Sequence, residues 1–217
     1  MEKKGEQSKL ASEIAHLREE KALLLVKELL DQGCDPMVLV NHCEEGMRRV
    51  GELYAQSKYS ISGLIMGGEI FREAMEIISP LILAANTGRT LGKVLLGTVA
   101  GDIHDLGKNI VAILLQSIRC EIVDLGVDVP AAEFLRQARL VHPDVIGLSC
   151  LITSAYDSMR ETVMLLKESG ITAPIIIGGG QLSEDINRYV GADYWANDVN
   201  YGIKICERLF AGIKTPS

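Results

Sequence analysis

The sequence predicts two domains: an all-α helical bundle over residues 1–88 and an α/β domain over residues 89–217, with a doubly wound, five-stranded parallel sheet. Up to residue 86, apolar residues recur at spacings of three and four, which is the period of a helix face. Beyond it, short unbroken apolar runs alternate with amphipathic segments. The polar stretch 86–90 separates the two patterns and ends in turn residues, so the domain boundary is predicted there.

Two helices of the first domain have recognisable start signals. Asp35-Pro36 supplies an N-cap and a first-turn proline, which predicts a helix running to about Gln56. Ser60 or Ser62 caps a further helix that extends to about Asn86. Three or four helices with short connections are enough to close a small bundle core.

The second domain repeats a strand, a loop and a helix five times. Unbroken apolar strands are typical of a parallel sheet covered on both faces, and right-handed crossovers make such a sheet doubly wound. Pro130 marks one helix start. The candidate strands are Val94–Val99, Glu121–Leu125, Val145–Leu148, Ile175–Ile177 and Tyr194–Trp195.

Composition excludes several classes of function. The 22 Lys and Arg against 29 Asp and Glu give a net charge of −7, so we expect neither a nucleic-acid partner nor an anionic membrane. No apolar run approaches the roughly 18 residues of a membrane span. The five cysteines include no C-x-x-C pair, which argues against a zinc site and favours a reducing, cytoplasmic location.

Three segments that leave predicted strands carry unusual residues. They are Gly101–Asn109 after the first strand, Ser149–Ser154 after the third and Gly178–Gly180 after the fourth. In doubly wound sheets, ligands bind beyond the carboxyl ends of the strands. These segments are therefore expected to converge on one edge of the sheet and to form the binding site.

His104 is the candidate metal ligand. A single loop histidine is more often a solvated surface residue, but Asp102 lies two positions upstream. There it can accept a hydrogen bond from one ring nitrogen and make the other a better ligand. One histidine and one aspartate cannot hold a bare zinc or iron ion. A macrocycle that fills four positions and leaves an axial one free is the economical alternative.

The remaining polar and glycine residues of these segments are ambiguous when taken singly. Gly178–Gly180 is compatible with a flexible turn, or with the close approach of a bulky ligand to the backbone. Ser149 and Thr153 either cap the following helix or contact a ligand. A nucleotide-like group entering the sheet edge would use the glycines for room and the hydroxyls for polar contacts.

Taken together, these residues form a linked motif. Asp102-x-His104-x-x-Gly107 is followed after 41 residues by Ser149-x-Leu151, and after 26 more by Gly178-Gly179. This pattern resembles the cobalamin-binding signature and covers the C-terminal half. The resemblance implies a flavodoxin-like fold that binds cobalamin or a related corrinoid base-off/His-on, with the dimethylbenzimidazole displaced.

The same resemblance assigns roles to individual residues. His104 is implied as the axial cobalt ligand and Asp102 as its orienting partner, so these two are the predicted catalytic residues. Cofactor contacts are implied for the loop residues Gly101, Ile103, Asp105 and Gly107, for the tail-pocket residues Ser149, Leu151, Thr153, Gly178, Gly179 and Gly180, and for Trp195, Ala196 and Asn197, which close the pocket.

One position departs from the related modules. Those modules carry a hydroxyl residue two positions after the threonine, where it continues the Asp–His hydrogen-bond chain, and here that position is Ala155. Either Ser154 substitutes for it or the chain of hydrogen bonds ends in water.

The N-terminal half narrows the resemblance. Gly46-Met47-x-x-Val50-Gly51-Glu52-Leu53-Tyr54, with Leu64-x-x-Gly67-Gly68-Glu69-x-Phe71 after it, resembles the helical cap of methyltransferase cognate corrinoid proteins. Leu64, Gly67 and Phe71 are then expected to shield the upper face of the corrin; the alternative is that they are ordinary bundle core. Family members usually have Pro at Ser62, Ala at Gly67 and Gly68, and Met at Phe71.

The function implied is that of a methyl carrier. It would pass a methyl group on cobalt from a substrate-specific methyltransferase to an acceptor methyltransferase that acts on a thiol or a tetrahydrofolate-type pterin, with a reductive activase as a further partner. Such a chain is a component of a methyltransferase system and no autonomous enzyme. The alternatives are a cobalamin storage or sensing module, the small subunit of a mutase, and, for the second half, a flavodoxin-like or receiver domain.

Overall fold

The structure is a computed structural model that describes residues 2–84 and 90–212. The chain divides into two compact units, Met1–Ala85 and Asn86–Ser217. The predicted boundary between residues 88 and 89 lies outside the described residues.

The first unit is helical throughout its described residues, with α1 packed on α3, and α4 on both α2 and α3. Its buried side chains include Leu10, Ile14, Leu39, Ile70 and Phe71. The helices are α1 (Glu2–Ala15), α2 (Glu19–Asp31), α3 (Pro36–Ala55) and α4 (Ile61–Ala84).

The helix start signals act as predicted. The Asp35 carboxylate accepts a hydrogen bond from the Met37 N–H at 2.9 Å, Pro36 opens α3, and Gln56 is the C-cap. Ser60 immediately precedes α4, whereas Ser62 lies inside that helix. The expected end of α4 at Asn86 falls outside the described residues.

The second unit contains a five-stranded, wholly parallel sheet in the order β2-β1-β3-β4-β5. The chain order reverses between β1 and β3, which is the switch point where such sheets bind ligands. All five predicted strands are present, most with ends displaced by one or two residues, and the predicted fold class is confirmed. The strands are β1 (Gly92–Thr98), β2 (Cys120–Asp124), β3 (Val145–Ser149), β4 (Ile175–Gly178) and β5 (Tyr194–Ala196).

Helices cover both faces of this sheet. On one face, α6 and α7 pack over a core that contains Leu95, Phe134 and Ile146. On the other, α5 and α9 pack over a core that contains Val94, Val145 and Ile176. The helices are α5 (Leu106–Ser117), α6 (Ala131–Val141), α7 (Tyr156–Glu168), α8 (Glu184–Val190) and α9 (Val199–Phe210), and a short 3-10 turn (Thr153–Ala155) precedes α7.

Candidate functional site

The strand register brings the three predicted segments together. Thr98 pairs with Ser149, and Gly178 pairs with both Ser149 and Ala196. Because all four strands are parallel, the loops that follow them leave from the same edge of the sheet. The expectation that these segments converge on one edge of the sheet is confirmed, and their role as a binding site stays a prediction.

Asp102 is the best-connected side chain at this edge, and it is fully buried. Its Oδ1 accepts hydrogen bonds from the His104 N–H at 3.0 Å and from the His104 ring Nδ1 at 2.6 Å. Its Oδ2 accepts from the Leu151 N–H at 2.6 Å and from the Ile152 N–H at 3.3 Å. One carboxylate therefore joins the loop after β1 to the segment after β3.

These hydrogen bonds keep the Asp102 carboxylate ionised and place a proton on Nδ1 of His104. Burial acts to raise the pKa of Asp102, but the hydrogen bonds from Leu151, His104 and Ile152 outweigh it and lower the pKa from 3.8 to about 2. An ionised carboxylate can only accept, so Nδ1 of His104 carries the proton. In the neutral form of the imidazole the lone pair is then on Nε2, and the side chain is 50% exposed. This is the state in which an imidazole binds a metal.

Two further residues, Thr98 and Asp128, hold the His104 loop through hydrogen bonds. The buried Thr98 hydroxyl donates to the His104 carbonyl at 3.0 Å. The Asp128 carboxylate accepts from the Gly101 N–H at 2.7 Å, and the Asp128 N–H donates to the Asp102 carbonyl at 2.9 Å. Gly101 has φ +85°, a backbone conformation that favours glycine. The loop is thus positioned by main-chain contacts on both sides of the Asp102–His104 pair.

A cavity of about 150 Å³ lies beside this loop, between the sheet, α5 and α9. We call its deep apolar part the floor and its polar outer part the rim. The floor comprises Val94, Leu96, Leu115, Val145, Gly147, Ile176 and Cys206, and the rim comprises Ser149, Gly180, Asn197 and Asp198. Gly107, Gly178, Gly179 and Ala196 also line the cavity. Gly178 and Gly179 were predicted for the tail pocket and Ala196 for its closure, whereas Gly107 was predicted only for the loop.

The glycine turn after β4 keeps this cavity open. A Cβ on Gly179 would lie 1.9 Å from the Cys150 carbonyl oxygen, so no side chain fits there. Cβ atoms on Gly178 and Gly180 would meet nothing within 4 Å. Glycine at 179 is therefore required by the backbone, whereas glycine at 178 and 180 leaves space for a ligand.

Three predicted pocket residues lie elsewhere. Trp195 packs against the core on the opposite face of the sheet, because side chains alternate along β5 and its neighbour Ala196 faces the cavity. Leu151 and Thr153 are exposed and do not line the cavity, since the chain turns after Ser149 toward α7. These three side chains therefore do not line this cavity, and Leu151 contributes its N–H to Asp102. Their contact with a cofactor stays a prediction.

The hydrogen bonds on the far side of Asp102 come from the main chain. Ser154 is exposed, and the partners of Asp102 on this side are the main-chain amides of Leu151 and Ile152. Ala155 is buried, with its methyl group 3.9 Å from the Cβ position of Gly101. Which of the two alternatives, Ser154 or water, continues the chain of hydrogen bonds stays a prediction.

The predicted shielding residues belong to the helical unit. Phe71 is 1% exposed and Leu64 is half-buried. A Cβ on Gly67 would come within 2.9 Å of Val50 on α3, so close packing of two helices accounts for this glycine. Contact of these residues with a cofactor stays a prediction.

Sequence reasoning missed several contributors. Thr98 had one signal, a polar residue at the end of an apolar strand. Gly147 had another, because a glycine inside a strand often marks a close approach. Asp128 is distant in sequence and gave none. Lys108 is buried at the cavity wall, where its ammonium donates to Asp124 and to the Asn109 amide oxygen.

The residues present fit a corrinoid better than a bare ion. Within the described part of the chain, no cluster of three or more His, Cys, Asp or Glu residues is able to hold a metal. His104 offers one nitrogen, and a glycine-lined cavity with an apolar floor lies next to its loop. A macrocycle that already ligates its metal, and that carries a tail with an aromatic end, matches this combination.

Comparison with known proteins decides the family. Residues 92–202 match the family described as B12 binding domain, and residues 7–79 match a second family with the same description. The chain belongs to the B12-binding corrinoid proteins. It is 31% identical to dimethylamine corrinoid protein 1 of Methanosarcina acetivorans, over 88% of this chain and 91% of that protein.

Solved structures extend this likeness over both units. The monomethylamine corrinoid protein of Methanosarcina barkeri is 25% identical, with a TM-score of 0.83 over 91% of this chain and 95% of the other. The methanol:cobalamin methyltransferase complex MtaBC of the same organism contains a chain that is 28% identical, with a TM-score of 0.56 over 94% and 79%. The resemblance to methyltransferase cognate corrinoid proteins is confirmed. Among the described helices, none combines the length and the apolar character needed to cross a membrane.

Proposed function

We propose that this protein carries a methyl group on the cobalt of a bound corrinoid, from a substrate-specific methyltransferase to a second methyltransferase whose acceptor is a thiol or a tetrahydrofolate-type pterin. The observation that carries the proposal is the imidazole of His104, held by a buried carboxylate with Nε2 free, beside a glycine-lined cavity. When bound, the corrinoid supplies a cobalt centre that takes up and releases methyl groups.

We assign base-off/His-on binding to this corrinoid. His104 provides the axial nitrogen, and the cavity beneath Gly178–Gly180 receives the nucleotide tail. Ile103 is 74% exposed and Leu151, whose N–H donates to Asp102, is 41% exposed, so both present apolar surface close to the Asp102–His104 pair in the chain or through this bond. Such surface is costly to leave in water and is suited to a flat macrocycle.

Asp102 has a positioning role in this scheme. Its hydrogen bond keeps the proton on Nδ1 and fixes the orientation of the ring. Nε2 is then the nitrogen that binds the metal, and the carboxylate makes it a stronger ligand. Its remaining lone pairs are taken by the amides of Leu151 and Ile152, so the carboxylate stays ionised even though it is buried. The histidine is thereby ready to bind without rearrangement of its loop.

The helical unit is assigned the role of a cap that excludes water from the upper face. Its match to a B12-binding family over residues 7–79 supports this role. Ile61, Ile65 and Met66 of α4 are exposed apolar residues, and Leu64 between them is half-buried. Leu64, Gly67 and Phe71 remain the residues proposed to form or support the shield.

The partners follow from the relatives. The proteins named dimethylamine corrinoid protein and the chain in the MtaBC complex belong to methyltransferase systems, and we extend such a partnership to this chain. A reductive activase is proposed because cobalt in methyl carriers is open to oxidation. The five cysteines are all buried and, within the described residues, none is in a disulfide, which suits the reducing cytoplasm.

Methyl cycling tests the proposal. The apoprotein is loaded with cobalamin without oxygen and reduced, and a methyl donor is then added with candidate methyltransferases. The visible cobalt spectrum is expected to change on addition of the donor and to return when an acceptor and its methyltransferase are supplied. A corrinoid spectrum that no donor system alters would contradict the carrier role and favour the storage or sensing module.

Histidine variants provide the control. His104→Ala is expected to bind the corrinoid more weakly and to lose the spectrum of a nitrogen-ligated cobalt, because Nε2 is removed. His16→Ala, which replaces an exposed histidine whose Nδ1 is 2.7 Å from the Ser12 carbonyl oxygen, is expected to retain both. An unaltered spectrum in His104→Ala would remove the axial-ligand assignment and leave the carrier role to be decided by the cycling measurement.

A further inference from the structure

The cavity has two chemically different parts. Floor residues Val94, Leu115 and Val145 are each 1% exposed, and Ile176 is 7% exposed. Rim residues Asn197 and Asp198 are exposed, and Ser149 is half-buried. A ligand that fills this cavity therefore meets water and hydrogen-bonding groups at its outer end, and hydrocarbon at its inner end.

Main-chain groups do not change the character of the floor. Val94 is paired with Val145, and Gly147 is paired with Leu96 and Ile176, in continuous parallel ladders. Their N–H and C=O groups therefore serve the sheet. Gly147 adds depth without polarity, since a Cβ there would come within 2.7 Å of Leu96.

Two floor or wall residues carry a hydrogen-bonding atom, and both are constrained. The Lys108 ammonium already donates to Asp124 and Asn109. Cys206 is 5% exposed, and burial raises the pKa of its thiol to about 12, so it remains a weakly polar S–H. Among the described residues of the floor, no carboxylate, amide or hydroxyl is available to a ligand.

We infer that this cavity selects corrinoids by their lower base, favouring benzimidazole and phenolic bases over purines. The inference rests on the proposed placement of the nucleotide tail in the cavity. Adenine carries an amino group and three ring nitrogens with free lone pairs, and burying them against the floor leaves them without partners. Dimethylbenzimidazole carries one such nitrogen and p-cresol carries none.

The test compares four corrinoids that differ only in the tail. Binding to the unmodified protein is measured by equilibrium dialysis, with corrinoid absorbance as the readout. The series contains cobalamin, the adenine analogue, the p-cresolyl analogue and cobinamide, which lacks the nucleotide. We expect the adenine analogue to bind roughly tenfold more weakly than cobalamin. The p-cresolyl analogue should bind at least as tightly as cobalamin, and cobinamide should bind most weakly.

A matched pair of variants locates the selectivity. Val145→Thr places one hydroxyl on the floor with little change in volume, and is expected to reduce the preference for cobalamin over the adenine analogue about threefold. Val163→Thr makes the same change at a residue that is also 1% exposed but lies in the core on the opposite face, and should leave the preference unchanged. If Val145→Thr does not fold, the four-corrinoid series on the unmodified protein decides the question.

Two results would overturn the inference, and they are distinguishable. Equal affinity for cobalamin and the adenine analogue, with weak cobinamide binding, would show that the tail occupies the cavity without selection. Cobinamide that binds as tightly as cobalamin would remove the tail from the cavity altogether. Neither result bears on methyl cycling, which the spectroscopic experiment measures separately.

Discussion

The His104 loop and the glycine-lined cavity are neighbours that are built on opposite principles. In the loop, Asp102 accepts four hydrogen bonds, and Thr98 and Asp128 add two more that hold the same segment. On the floor of the cavity, side chains are absent, apolar or, at Cys206, weakly polar, and a Cβ at Gly147 would collide with Leu96.

This difference shows how one sheet edge meets two requirements. An axial ligand must have one orientation, and hydrogen bonds are directional enough to impose it. An aromatic tail needs volume and freedom from unpaired polar groups, which small and apolar residues provide. Substitutions in the loop should therefore mainly affect the stability of the fold and the orientation of the ligand. Substitutions in the cavity should mainly affect the affinity for the nucleotide.

The largest effect is expected when the loop carboxylate is changed. Asp102→Asn removes the charge that accepts N–H groups from both flanking segments, and should lower the free energy of unfolding by roughly 3 kcal/mol. Urea denaturation of the apoprotein measures it. Asp105→Asn, in the same loop but exposed, should change stability by less than about 0.5 kcal/mol. Equal effects for the two variants would show that the Asp102 network contributes nothing special.

A change in the glycine turn should be smaller in stability and larger in binding. Gly179→Ala forces a methyl group against the Cys150 carbonyl, and is expected to cost about 2 kcal/mol and to weaken cobalamin binding more than cobinamide binding. Gly180→Ala has open space at its Cβ and serves as the control for stability only. Calorimetry and dialysis give the two readouts. The assignment fails if Gly179→Ala weakens both corrinoids to the same extent.

The smallest effect concerns the pH dependence of the apoprotein. Because the pKa of Asp102 is lowered from 3.8 to about 2 on folding, its contribution is present above pH 4 and is lost as pH falls through about 2. The free energy of unfolding should fall by about 1.5 kcal/mol between pH 6 and pH 2.5 because of Asp102. The Asp102→Asn variant should lack this part of the decrease. Glu133, whose pKa is lowered to about 2 by Arg136 and Gln137, is partly exposed and its ion pair with Arg136 is screened by water, so Glu133→Gln should leave the low-pH part of the stability curve nearly unaltered. An equal decrease of the unfolding free energy at low pH in the wild type and in Asp102→Asn would contradict this assignment.

The sequence was informative where a short pattern determines the structure. Apolar runs located the five strands, Asp35-Pro36 located the start of α3, and the two-residue spacing of Asp102 and His104 anticipated their hydrogen bond. Each of these depends on residues close together in the chain. The motif spacing also placed Ser149 and Gly178 at the correct edge.

The remaining details depended on contacts between distant segments. Asp128 supports Gly101 from the loop after β2, which no local pattern indicates. The face occupied by Trp195 follows from the alternation along β5, but a three-residue strand gives too little sequence to establish its phase. The apolar floor depends on the space that α5 and α9 leave over three adjacent strands, and this arrangement is not encoded in any local pattern.

The carboxylate of Asp102 has one more consequence, for communication within the fold. Its two oxygens face different partners, the imidazole on one side and the amides of Leu151 and Ile152, just before the 3-10 turn that leads into α7, on the other. A displacement of the imidazole would therefore act, through Asp102, on the segment that connects β3 to α7. Two hydrogen bonds thus separate the segment before α7 from the imidazole of His104, the ring proposed to bind cobalt.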